Sequence, residues 1–145
     1  MNHNNALEKI HDLRTEEKNQ ALLEQKKAVD QFEQVAKQLY KQLKTKEEAE
    51  SKLNMYKQSE VIMKIREQTL YIGSLNERIN VLQNEVQIAR KQMEEKQYIV
   101  TEKHIELKKI EKMIEKRRER VKKQAEVVEM QQMDEISLNR YIRTE

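Results

Sequence analysis

Residues 72–89 read IGSLNERINVLQNEVQIA, and their spacing decides the fold. Counting by sevens from Ile72 gives Ile79, Val86, Met93, Val100, Leu107, Ile114, Val121 and Val128, so all nine positions are apolar in a chain that is 37% hydrophobic. Three residues further on runs a companion series: Leu75, Leu82, Ala89, Lys96, Lys103, Ile110, Arg117, Gln124 and Gln131. Its polar members have long stems whose methylenes can cover an apolar seam while the head group stays in water. Two such rows, with a mean period of 3.5 residues, mark a left-handed coiled coil.

Upstream lies a second stripe. Ala28, Val35, Gln42, Ala49 and Tyr56 form one row, and Phe32, Leu39, Lys46 and Leu53 the other. Leu22, Val29, Ala36 and Leu43 flank it and widen the apolar face. Ala21, Leu13, Ile10 and Leu7 are its expected anchors nearer the N-terminus. The two phases clash around residues 54–62, which places the reversal there, with Ser59 as the expected cap of the second helix. Gly73 is the rival turn, but the heptads run through it unbroken, and one glycine inside a helix costs only about 1 kcal/mol. The expected fold is therefore all-α: one domain over residues 1–145, folded as an antiparallel coiled-coil hairpin. Helix 1 spans about 6–55, the turn about 54–62 and helix 2 about 62–142. At 1.5 Å per residue the pair extends roughly 70 Å. The longer second helix then leaves an overhang of about 30 residues. The overhang is expected to carry Ile110, Ile114, Val121 and Val128 as a stripe that a partner or a second copy must cover.

Composition narrows the function. The 145 residues hold 29 Lys and Arg against 26 Asp and Glu, one Gly, and no Pro, Cys or Trp. Tight-turned β and α/β folds need the missing turn residues. Disulfides, thiolate zinc sites and cysteine nucleophiles are excluded outright. No apolar run is long enough for a membrane span, and the polar start lacks the core of a secretory signal. Glu8 and His11 make one Glu-x-x-His pair, whereas a di-iron bundle needs two such pairs and further carboxylates. The expectation is no catalytic residue, metal, cofactor or small-molecule ligand. Residues 103–123 hold ten Lys and Arg against four Glu, a net of +6. This basic stretch lies inside the heptads and lacks an aromatic platform, so nucleic acid is not the expected partner. After Val128 the heptad slips, and the apolar positions move to Met133, Ile136 and Tyr141.

Two segments carry a resemblance: A-L-E-K-I-H-D-L at residues 6–13 and M-D-E-I-S-L-N-R-Y at residues 133–141. With the long charged hairpin between them, the whole chain resembles the FliJ family of bacterial flagellar type III export. The injectisome counterparts of virulence systems are near relatives. The resemblance implies a non-enzymatic antiparallel coiled coil, similar to the stalk helices of a rotary ATPase γ-subunit. It implies three partners: a hexameric export ATPase, a membrane export gate protein and export chaperones. It also implies a monomeric hairpin in the cytoplasm, peripheral to the inner face of the membrane at the flagellar base. The end implied to meet the ATPase ring comprises Leu7, Ile10, Leu13, Arg14, Arg117, Arg118, Arg120, Met133, Asp134, Glu135 and Arg140. The implied gate-facing patch comprises Gln38, Gln42, Tyr71, Leu75, Arg78 and Leu82, with Thr45 and Ala49 where relatives carry aromatics. A structural dimer joined through its overhangs is the competing reading.

Overall fold

A computed structural model describes residues 2–144 and resolves them into two long helices, α1 (Asn2–Gln58) and α2 (Ile62–Thr144). There is no strand among the described residues. The second helix is the longer, with 83 residues against 57. Helix formers without proline allow this length, and neither helix is long and apolar enough to cross a membrane. The contacts group into two compact units, residues 19–101 and residues 2–18 with 102–144.

In the unit of residues 19–101 the two helices run antiparallel around the predicted heptads. Val35, Ala49, Leu75, Ile79, Val86 and Ala89 are buried, and Ala28, Phe32, Leu39, Ile72 and Leu82 are half-buried. No side chain is less than 2% exposed, as expected where two helices share a single line of contact. Gln68 Nε2 donates across the seam to Ala49 O at 3.0 Å, and the Arg90 guanidinium lies 5.7 Å from the Phe32 ring centre.

The turn occupies Ser59, Glu60 and Val61. Ser59 closes α1 instead of capping α2: both its N–H and its hydroxyl donate to Met55 O, each at 3.1 Å. Val61 holds the capping position, its carbonyl accepting from Ile65 N–H at 3.1 Å. The reason is the reversal itself, which needs a left-handed residue after α1. Glu60 supplies it with a φ of 56°. That conformation crowds any Cβ. Gly73, by contrast, sits inside α2, where an added Cβ would meet nothing within 4 Å. Glu60→Gly and Gly73→Ala are therefore each expected to stabilise the fold by about 0.5–1 kcal/mol, the one by relieving strain and the other by lowering unfolded-state entropy. A urea titration of each variant checks this.

In the unit of residues 2–18 and 102–144 the helices are again antiparallel, but the seam is polar. Leu7, His11, Arg14 and Lys18 face Lys103, Leu107, Ile110, Ile114 and Arg117, and only Leu107 is buried. Ile10 and Leu13 are not anchors of this seam: they are 38% and 52% exposed. Stepping back by sevens from Ala28 leads through Ala21 and Arg14 to Leu7, so Ile10 and Leu13 fall beside the contact line. Ile110 and Ile114 are half-buried against α1 and do not belong to a bare overhang. From Arg118 to Thr144 every residue of α2 is exposed.

Candidate protein-docking surfaces

Charge organises the polar seam. Arg14 Nη1 donates to Glu17 at 3.0 Å, and Lys103 Nζ reaches the same carboxylate at 3.5 Å. Lys103 also lies 3.7 Å from Glu106. His11 Nε2 is 3.5 Å from Glu111, which accepts from Lys108 Nζ at 3.2 Å. The hydrogen bond from Arg14 holds the Glu17 carboxyl below its ordinary range, helped by the Lys103 charge. The hydrogen bond from Lys108 does the same for Glu111, with His11 contributing. Carboxyls lowered in the folded state stabilise it fully above their ordinary value, and that contribution fades as pH falls through the lowered value. Acidification below pH about 4 is expected to loosen this unit. The loss should be modest, because both carboxylates meet solvent. Hydrogen exchange of residues 7–18 at neutral and acid pH measures the effect, and Glu17→Gln should reduce its pH dependence.

All the residues implied to meet an ATPase ring fall in this unit. Leu7 and Arg118 share a small recess with Glu8 and Ile114, and Arg118 Nη2 lies 3.9 Å from Glu8. Arg14 is engaged by Glu17 and Arg117 is half-buried in the seam. Arg120, Met133, Asp134, Glu135 and Arg140 stand on the exposed part of α2. Around them Val121, Val127, Val128, Met130, Ile136, Leu138, Tyr141 and Ile142 are each at least half exposed. A helical stretch this rich in open apolar side chains is a surface made for covering.

In the unit of residues 19–101, Gln38, Gln42, Arg78 and Leu82 line a groove of about 510 Å³ together with Lys41, Ser74, Glu77 and Val81. Gln42 Oε1 is buried there without a hydrogen-bond partner, and a buried acceptor left unpaired is costly. Tyr71 is exposed nearer the turn. Leu75 is 4% exposed and so belongs to the seam. Ala49 is buried, and the Thr45 hydroxyl donates to Lys41 O of its own helix. Lys41, Ser74 and Glu77 carry no sequence signal that separates them from an ordinary helix surface. Val81 does carry one, as an apolar residue off the heptad phase, and it is 57% exposed.

The family model described as "Flagellar FliJ protein" matches residues 3–145. The Flagellar FliJ protein of Bacillus subtilis (strain 168) is 35% identical over 136 residues, covering 93% of this chain and 92% of that protein. No solved structure matches.

Proposed function

The chain belongs to the flagellar FliJ family, and from that premise we propose that it is a non-enzymatic stalk of the flagellar protein export apparatus. Its unit of residues 2–18 and 102–144 enters the ring of a hexameric export ATPase and promotes the ring's activity. Its groove at Gln38, Gln42, Arg78 and Leu82 contacts the membrane export gate, and the protein helps recycle export chaperones. It works in the cytoplasm, against the inner face of the membrane at the flagellar base. The observation that carries the reading is the exposed stretch of residues 118–144, apolar and charged together. A ring lumen covers such a rod from all sides. The groove lined by Gln38, Gln42, Arg78 and Leu82 supports the second contact.

The test is stoichiometric addition of the chain to the cognate hexameric ATPase. Stimulated hydrolysis and co-sedimentation with the ring are expected. No stimulation together with no co-sedimentation refutes the ring contact.

A further inference from the structure

The exposed stretch of α2 is divided by charge. Residues 116–123 hold six Lys and Arg against one Glu, while residues 126–135 hold four carboxylates and no basic residue. We infer that this stretch pairs with the same stretch of a second copy, antiparallel about a two-fold axis near Glu126. Antiparallel order lays the basic block of each copy on the acidic block of the other, whereas parallel order sets like on like. A two-fold contact of this kind uses one self-complementary patch twice.

The heptad phase narrows the register. In an antiparallel pair the first row of one helix faces the second row of the other, so allowed registers differ by seven residues. One of them sets Val121 on Gln131, Val128 on Gln124 and Glu135 on Arg117. It also brings Arg120 beside Asp134. Sliding by seven in one direction carries the basic block towards Arg140 and Arg143. Sliding the other way brings Lys122 and Lys123 of both copies together. Only the first register satisfies both rows and charges. Its extent is bounded, because Leu138 would next face Ile114, which Leu7 already covers. Val121, Gln124, Val128 and Gln131 are all exposed in the single chain and free to enter such a contact. The pairing requires no other protein, so it stands apart from the ring reading; the two cover the same face and exclude each other.

Sedimentation equilibrium of the full chain at low salt tests it. The mass is expected to rise from one copy towards two with concentration, and a monomer mass up to about 100 µM overturns the inference. Arg120→Glu sets carboxylates opposite one another at both symmetric positions and should weaken association by about tenfold or more. Adding Asp134→Arg should restore it; failure of that rescue overturns the register. Because the chain has no cysteine, thiols report the order of the strands. Ala125→Cys, beside the axis, should cross-link alone. Val121→Cys and Gln131→Cys should cross-link only when mixed. Val121→Cys linking to itself would indicate a parallel pair and refute the inference. All these positions are exposed, so the variants leave the seam intact.

Discussion

Ile79→Asp is expected to destabilise the unit of residues 19–101 by about 4 kcal/mol or more, enough to melt much of its helix at room temperature. Ile79 is 4% exposed between Leu75 and Val86 on the contact line. Its replacement removes a buried branched side chain and places a carboxylate in the apolar seam. A two-helix seam has no second layer to fall back on, since no side chain here is less than 2% exposed. Ile88 supplies the control. It stands on the same helix but is 60% exposed, so Ile88→Asp should shift stability by no more than about 0.5–1 kcal/mol. Far-ultraviolet circular dichroism through a urea titration compares the two. Equal losses would mean that the heptad phase assigned to the seam is wrong.

Ending the chain after Arg118 is expected to do the reverse: leave the fold and remove the function. Residues 119–144 are exposed throughout and lie beyond the Arg118–Glu8 pair. The truncated chain should keep its unfolding free energy in a urea titration to within about 1 kcal/mol, the loss of exposed helix being nearly neutral to packing. Stimulation of the export ATPase should fall to the level of the ATPase alone. Unchanged stimulation would place the ring contact elsewhere, while a collapsed midpoint would show that the exposed stretch supports the fold.

The part of the fold that was legible in the sequence is the part held by apolar side chains. Ile72 to Leu107 announced their seam by sevens, and each is buried or half-buried on that line. Where the seam turns polar the signal failed. Counting apolar residues picks Ile10 and Leu13, yet the contact line runs through His11, Arg14 and Lys18, where Arg14 reaches Glu17 and His11 lies beside Glu111. Hydropathy cannot see a methylene stem under a charged head. The role of Ser59 is ambiguous in the sequence for a related reason. A serine serves either end of a helix, and only the left-handed Glu60 decides which. Of the candidate sites, the exposed end of α2 was visible as a broken heptad. The groove around Gln42 was not, because its polar lining is ordinary helix surface until the two helices are set side by side.

The contacts of the two units also differ in how much chain they must gather. The Gln68–Ala49 bond closes over 19 residues, whereas Lys103–Glu17 closes over 86. Loop entropy rises by about 0.6 kcal/mol for each doubling, so in an unfolded chain the longer closure is harder by roughly 1.3 kcal/mol. It is also rewarded less, since its seam holds ion pairs where the other holds buried aliphatics. Folding should therefore begin beside the Ser59–Val61 turn and zip outwards, with the charged seam closing last and opening first. The end of the molecule that carries the proposed ring contact is then the end whose helices part at least expense, and the turn is where the chain remembers its register.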